Sequence, residues 1–205
     1  MKRAFILVIL VVSGYWQLAS QSVKCKVLLQ GAYQSGSMMS TTISDYIPTY
    51  QPYNTFPWDY AGGEHINNIP GNMVDWVLVE LRDYLNPSLI VSRRAAILLD
   101  NGIIADTNLS VEITFGATSP GDYYLCIYHR NHITVMSASP VNIPNAVSYD
   151  FSDTLNFPSY GGSTKALIEL EPGIYGMITG DINKDGVLKY SGPDNDRSAV
   201  LQYIF

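Results

Sequence analysis

Short apolar runs separated by turn residues predict a chain built mostly of β-strands. The run 74–81, VDWVLVEL, is apolar on both faces apart from Asp75 and Glu80, which predicts a strand at the centre of a sheet. Apolar side chains alternate from Val23 to Leu29, which predicts a first strand with one mostly apolar face. Further strands are predicted at 41–47, 93–99, 102–104, 109–115, 123–128, 132–137, 146–151 and 175–179.

Two turn signals predict hairpins between these runs. Asp100-Asn101-Gly102 lies between apolar runs, and Asn-Gly in that setting is the strongest short hairpin signal. Ser119-Pro120-Gly121 predicts a second hairpin that joins 109–115 to 123–128. Seven or more short strands with such turns predict an all-β fold, and specifically a β-sandwich.

The C-terminal stretch 180–204, GDINKDGVLKYSGPDNDRSAVLQYI, carries the most specific chemistry. Asp181, Asn183 and Asp185 alternate and are followed by Gly186, which is the opening of an EF-hand-type calcium loop. The next ligand in such a loop is a backbone carbonyl, here that of Val187. The alternative is a solvated turn in which Asp and Asn side chains bond their own backbone.

The closing ligand of this loop is predicted to be Asp196, with Asp194 as the alternative. The twelfth position, which normally holds a carboxylate, is Gly192, and Lys189 occupies the ninth. A bulge of four residues would bring Asp196 to the closing place, directly before a helix. Helical spacing on one face is seen for Ala199, Val200, Tyr203 and Ile204.

On these residues the segment 179–205 resembles one half of a dockerin-type repeat. Its Tyr-Ser-Gly insert and Asn-Asp-Arg ending are similar to copies in hemagglutinin-like surface proteins of bacteria. The resemblance implies a structural Ca²⁺ held by Asp181, Asn183, Asp185, Val187 and Asp196. Dockerin-type modules pair two such loops, so a single repeat is expected here, either truncated or sufficient alone.

The two cysteines stand in an order that resembles the immunoglobulin-like pattern. Trp76 lies between Cys25 and Cys126, and Tyr124 precedes Cys126 by two residues. That pattern implies a Cys25–Cys126 disulfide packed on Trp76, and a lone pair of cysteines in an exported chain is also expected to be bridged. The Pro120 to Tyr123 stretch resembles the strand entry of prealbumin-like sandwiches, so we expect the sandwich but leave its topology open.

The N-terminus predicts export. Residues 1–20 combine Lys2 and Arg3 with a short apolar run, which is typical of a signal peptide; an uncleaved membrane anchor is the alternative. Cleavage leaves 10 Lys plus Arg against 18 Asp plus Glu, a charge of -8, which argues against nucleic acid as a partner. We expect a secreted or cell-surface protein, with the periplasm as the alternative location, and no membrane span after cleavage. The predicted domains are a sandwich over 21–178 and the calcium segment over 179–205.

The long connection 46–70 is rich in proline and aromatic residues. Its aromatics Tyr53, Phe56, Trp58 and Tyr60 form either a flat platform for a sugar or a flap that folds back to close one end of the sandwich, which is the interpretation we favour. Among the polar motifs, His129 and His132 are expected to diverge along a strand and so not to share a metal.

Three functions follow from these patterns. The first is a non-enzymatic surface module with a structural calcium, acting in adhesion or surface assembly with a protein or glycan partner. The second is a carbohydrate-binding module that uses the aromatic loop. The third is a small glycan-active hydrolase, which would need two carboxyl groups facing each other in a cleft.

Overall fold

The computed structural model describes residues 20–162 and 165–204, with the side chains of 202–204 left out, and the fold is all-β. The predicted signal peptide lies outside these residues except for Ser20. The strands are β1 Gln21–Val23, β2 Cys25–Lys26, β3 Tyr33–Ser35, β4 Met38–Met39, β5 Met73–Asp83, β6 Ile90–Leu99, β7 Ile104–Ala105, β8 Ile113–Phe115, β9 Gly121–His129, β10 His132–Met136, β11 Val141–Ile143, β12 Tyr149–Asp150, β13 Leu167–Glu171 and β14 Ile174–Met177. A 3-10 helix spans Ser44–Tyr46, and helix α1 spans Asp196–Ile204.

The main sheet is antiparallel, with strand order β10-β9-β5-β6-β7 and with β11 paired to the other half of β9. The two long strands β5 and β6 pair along almost their whole length. The central place predicted for 74–81 is confirmed, since β5 lies between β6 and β9. Smaller two-stranded sheets pair β1 with β8, β2 with β12, β3 with β4, and β13 with β14.

Both faces of β5 are buried, which explains its continuous apolar sequence. Val77, Val79 and Leu81 point into the main core, which also contains Cys25 and Phe115. The opposite face of the sheet carries a second core, in which the long connection 46–70 lies over the strands. Its buried members are Ile47, Tyr53, Trp58, Ile66, Met73, Trp76, Leu78, Ala95 and Ile97.

The Asp100 to Gly102 hairpin is confirmed. Gly102 adopts a positive φ of 84°, its N–H donates to the carbonyl of Leu99, and β6 pairs with β7 on either side. A Cβ at Gly102 would also lie 2.8 Å from the carbonyl oxygen of Val27, so both the turn and the close packing require glycine.

Two local predictions are wrong. The segment 109–115 does not form a hairpin with 123–128, because β8 pairs with β1 at the start of the chain while β9 joins the main sheet. The stretch 41–47 contains a 3-10 helix over Ser44–Tyr46, so it is not the predicted strand. In the first case, pairing with a distant part of the chain overrides the short apolar pattern. In the second case, a helical turn does so.

The predicted Cys25–Cys126 disulfide is also wrong, since both cysteines are free and buried. Along β9, Leu125 and Ile127 point into the main core, where Cys25 lies. Cys126 therefore points to the opposite face, where it pairs in register with Glu80. Trp76 lies in the second core, whereas Cys25 lies in the main core. The two cysteines and the tryptophan therefore do not form the cluster that the immunoglobulin-like pattern implies.

The C-terminal helix, predicted to begin directly after Asp196, is confirmed and begins at Asp196 itself. It is mostly solvent-exposed: Ala199 is half-buried and Val200 is exposed. Within the described residues, no helix combines the length and apolar character needed to cross a membrane. The immunoglobulin-like or prealbumin-like sandwich type and the boundary near residue 178 stay predictions.

Candidate functional site

The C-terminal loop, residues 181–196, begins at the edge of the main sheet. The N–H of Gly180 donates to the carbonyl of Asn131 at 2.9 Å, and the N–H of Thr179 donates to Oε1 of Gln30 at 3.0 Å. An isolated bridge between Thr179 and His132 continues this attachment. The two residues directly before the loop therefore hold its start against the β9–β10 turn.

The alternating Asp and Asn residues shape the loop through side-chain to backbone hydrogen bonds. Oδ1 of Asn183 accepts the N–H of Asp185 at 3.1 Å, and Oδ1 of Asp185 accepts the N–H of Val187 at 2.8 Å. Oδ2 of Asp181 accepts the N–H of Gly186 at 3.2 Å, where φ is 77°. These are the bonds that make Asp, Asn and Gly suitable for a sharp turn.

Asp196 closes the loop from the start of helix α1. Its Oδ1 accepts the N–H groups of Ile182 at 2.8 Å and Asn183 at 3.3 Å, and its Oδ2 accepts the N–H of Lys189 at 2.8 Å. Burial disfavours the charged carboxylate, but these backbone donors outweigh it, so the pKa of Asp196 is lowered. The side chain of Asp194 is exposed. Of the two predicted closing residues, Asp196 is thus the one buried inside the loop.

Asp181 carries a buried oxygen that has no partner. The residue is 5% exposed, and its Oδ1 atom is buried without a hydrogen bond to any described residue. Burial raises the pKa of Asp181, and the nearby carboxylates of Asp196 and Asp185 raise it further. A cation beside these three carboxylates would satisfy the orphaned oxygen and offset their repulsion.

The remaining predicted ligands are in the same loop but not all turned towards a common centre. The amide of Asn183 donates to Oδ2 of Asp185 at 3.1 Å and to the carbonyl of Asp194 at 2.8 Å. Among residues 20–162 and 165–204, no group of three or more His, Cys, Asp or Glu side chains is placed to hold a metal ion. The five-ligand set that includes the Val187 carbonyl stays a prediction.

The predicted divergence of His129 and His132 is wrong. The two residues are opposite each other in the register of β9 and β10, across a turn of only two residues. Their Nδ1 atoms lie 2.8 Å apart, and both rings are buried. Sequence reasoning placed both residues on one strand, whereas the chain reverses between them.

The hydrogen bonds around the pair define its protonation. Nε2 of His132 accepts the N–H of Gly31 at 3.3 Å, so the proton of neutral His132 is on Nδ1 and is donated to Nδ1 of His129. Nδ1 of His129 also accepts the N–H of Asn131 at 3.3 Å, and its Nε2 proton is donated to Oδ2 of Asp75 at 3.1 Å. Burial, together with the neighbouring His129, lowers the pKa of His132 to about 3.

Asp75 anchors this chain of hydrogen bonds. Nη2 of Arg130 contacts both of its oxygens, at 2.6 and 2.7 Å, and the N–H of Trp76 donates to Oδ1 at 2.8 Å. Burial opposes its ionisation, but the hydrogen bond from His129 and the charge and hydrogen bonds of Arg130 lower its pKa to about 2. Sequence reasoning missed the role of Asp75; its only signal was a carboxylate interrupting an apolar run.

A second buried carboxylate, Glu80, lies on the other face of β5. Glu80 is fully buried and is contacted by Nε of Arg82 at 2.6 Å, Nε of Arg93 at 2.7 Å and the hydroxyl of Tyr128 at 3.2 Å. Arg93 also donates from Nη1 to the carbonyl of Trp58 at 2.8 Å. This network connects the sheet to the long aromatic connection.

The aromatic connection forms part of the core, so a flat platform of four exposed rings is wrong. Tyr53 is fully buried and Trp58 is 6% exposed, and the two rings meet edge to face with centroids 4.9 Å apart. Tyr60 is half-buried and donates its hydroxyl to Oε1 of Glu64, while Phe56 is 77% exposed. The connection folds back onto the protein, as the favoured interpretation predicted, but it covers a face of the main sheet rather than one end of a sandwich.

A cavity of about 270 Å³ separates the C-terminal loop from the sheet. On one side the loop contributes Asp181, Lys184 and Asp185, and the Nζ atom of Lys184 lies 4.8 Å from the centroid of the Trp58 ring. The remaining lining residues come from the aromatic connection and the sheet; they are Pro57, Trp58, Arg93, Tyr128, His129, His132 and Thr134, with Gly186 of the loop. We call this space the loop cavity.

Comparisons with known proteins found no match. No protein-family model matches the chain, and no curated protein and no solved structure is significantly similar to it.

Proposed function

We propose that this chain is a non-enzymatic, exported bacterial surface module whose C-terminal segment is fixed by a structural Ca²⁺. The ion would be held by Asp181, Asn183, Asp185, the carbonyl of Val187 and Asp196. The observation that carries this proposal is the buried, unpartnered Oδ1 of Asp181 beside the carboxylates of Asp185 and Asp196. A site that gathers like charges around an unsatisfied oxygen is the arrangement that a divalent cation stabilises.

Calcium suits this set of atoms better than magnesium. Ca²⁺ accepts about 6 to 8 oxygen ligands in flexible geometry, whereas Mg²⁺ requires a tighter octahedron and gives up its waters reluctantly. The loop offers carboxylate, amide and carbonyl oxygens and no sulfur or imidazole. A bidentate Asp196 would bring the proposed set to six oxygens.

The ion would act on the attachment of the segment to the sheet. Three contacts of that attachment begin at or beside the loop: Gly180 to Asn131, Thr179 to Gln30, and Lys184 to the ring of Trp58. Binding free energy that is available only to the folded loop adds to the stability of these contacts. The result would be a stiff C-terminal segment with an exposed helix.

A role in adhesion or surface assembly is supported by the resemblance of 179–205 to hemagglutinin-like repeats. The carbohydrate-binding alternative loses its flat aromatic platform, since Tyr53 and Trp58 are buried. The carboxylates that line the loop cavity, Asp181 and Asp185, are assigned to calcium, so we do not propose a hydrolase.

Calorimetry of the full mature chain tests the calcium proposal. Millimolar CaCl₂ should release heat and raise the melting temperature relative to EDTA, and MgCl₂ should do so less. Asp185→Ala should remove this effect, whereas the matched variant Asp194→Ala should keep most of it, because the side chain of Asp194 is exposed and only its carbonyl is used in the loop. An unchanged melting temperature in CaCl₂ would leave the loop as an Asp-rich turn without a metal.

A further inference from the structure

We propose that the loop cavity binds a small organic carboxylate, and that it does so only when the C-terminal loop holds Ca²⁺; the inference rests on the calcium site proposed above. The cavity is bounded by the sheet, the aromatic connection and the C-terminal loop, so its walls come from three separate parts of the chain. Its volume of about 270 Å³ is just below the usual range for ligand sites, which begins at roughly 300 Å³, and suits one sugar ring or one amino acid.

Two cationic side chains line this cavity. Arg93 is oriented by Glu80 at Nε and by the Trp58 carbonyl at Nη1, which holds its guanidinium in one position. Lys184 makes no ion pair with any residue in the described part of the chain; its ammonium group instead lies over the face of Trp58. A positioned guanidinium and an unpaired ammonium are the groups that recognise a carboxylate.

The carboxylates of Asp181 and Asp185 line the same cavity and decide when an anion can enter. Without a metal, Arg82, Arg93 and Lys184 carry three positive charges against four negative charges on Glu80, Asp181, Asp185 and Asp196, a sum of -1. With Ca²⁺ in the loop, the sum becomes +1. The sign of the field in the cavity therefore depends on the ion, and so should the affinity for an anion.

The neighbouring His132 adds a polar group without adding charge. His132 is held neutral at pH 7 by burial and by the adjacent His129, which lowers its pKa. The hydroxyl groups of Tyr128 and Thr134 are also at the cavity. A ligand with hydroxyl groups as well as a carboxylate would find partners for both.

Isothermal titration calorimetry of the full mature chain tests this inference with defined probes. Galacturonate represents a sugar acid and glutarate an acyclic carboxylate, and galactose is the uncharged control for the ring. Each is titrated in CaCl₂ and in EDTA, with blank titrations into buffer to remove direct calcium chelation. We expect one or both acids to bind in CaCl₂, with no binding in EDTA and none by galactose; the acid that binds identifies the source of the carboxylate.

Lys184→Gln and Lys189→Gln form the matched pair of variants. Lys189 is a cation of the same loop, but it does not line the loop cavity and its ammonium donates to the carbonyl of Pro193. Loss of one charge-assisted contact should weaken the binding of the acid to Lys184→Gln at least roughly tenfold. The affinity of Lys189→Gln for the acid should stay near that of the wild type. Calcium binding, measured separately in each variant, should be retained.

The outcomes separate this inference from the proposed function. Calcium binding without binding of either acid would overturn the carboxylate site and leave the calcium site standing. Acid binding that is equal in CaCl₂ and EDTA would overturn the calcium dependence, and equal affinities of the two lysine variants would overturn the placement of the site. Absence of any calcium effect would overturn both proposals.

Discussion

Nδ1 of His132 donates a proton to Nδ1 of His129 at 2.8 Å, across the turn that joins β9 to β10. The bond requires a proton on only one of the two facing Nδ1 atoms, and protonation of His132 at Nε2 would replace the acceptor of the Gly31 N–H with a second N–H. The pair is buried and continues to the carboxylate of Asp75. The stability of this end of the sheet should therefore depend on pH.

Acidification should destabilise the protein through His132. Its pKa is about 3 in the folded chain against an ordinary value of 6.5, so below pH 6.5 the unfolded chain binds the proton that the folded chain rejects. The free energy of unfolding should fall by about 1.4 kcal/mol per pH unit from this group between roughly pH 6 and 4. Asp75, with a pKa of about 2 against an ordinary 3.8, adds slope only below about pH 5, and its contribution is lost as the pH falls towards 2. That slope is common to wild type and His132→Gln.

Urea denaturation at several pH values measures this slope. The difference between wild type and His132→Gln should shrink as the pH falls from 7 to 4, because the variant has no group to titrate at this place. His65→Gln is the matched control, since His65 is exposed. A parallel pH dependence in wild type and His132→Gln would contradict the prediction.

Trp58→Ala should lower the free energy of unfolding by about 3–5 kcal/mol, because the indole is buried against Tyr53 in the second core. Phe56→Ala should change it by less than about 0.5 kcal/mol, since Phe56 is 77% exposed. Chemical denaturation of the two variants measures both values. Similar stabilities for the two would mean that the aromatic connection does not cover the sheet.

Glu80→Ala should be among the most damaging substitutions in the chain. It would leave the guanidinium groups of Arg82 and Arg93 without their shared buried carboxylate, at a cost of about 3–5 kcal/mol. Glu112→Ala removes an exposed ion pair with Lys24 and should cost far less, because solvent screens that pair. Equal losses in urea denaturation would show that the Glu80 network is not essential to the fold.

Asp181→Asn should have opposite effects with and without calcium. In EDTA the variant should be more stable by roughly 0.2–1 kcal/mol, because it removes one of three neighbouring negative charges. In CaCl₂ it should lose most of the stabilisation that the wild type gains, since a charged ligand is gone. Melting temperatures in the two buffers test this, and a variant less stable than wild type in EDTA would contradict the repulsion.

Both cysteines should behave as unreactive thiols in the native protein. Burial raises the pKa of Cys25 far above its usual value and that of Cys126 to about 12, so neither forms a thiolate at neutral pH. A thiol reagent should label none in native, unreduced protein and two after unfolding in urea. Absence of thiols after unfolding would restore the disulfide that the structure contradicts.

The sequence by itself determined the features that depend on neighbouring residues. The apolar run of β5 predicted its central place, Asn101-Gly102 predicted the tight turn, and the spacing after Asp196 predicted the C-terminal helix. The alternation of Asp181, Asn183 and Asp185 predicted a sharply turned loop, because Asn183 and Asp185 bond the backbone two residues onward and Asp181 bonds the N–H of Gly186. Each of these signals acts over a few residues and so is visible in the chain.

Only the tertiary structure decided which distant residues meet. Cys25 and Cys126 fail to pair because the alternation along β9 directs Cys126 to the opposite face of the sheet. His129 and His132 meet because the chain reverses between them, and Asp75 joins them because β5 lies beside β9. Face and register follow from the packing of the whole sheet, and a shift of one residue reverses them, so no local pattern could have specified these contacts.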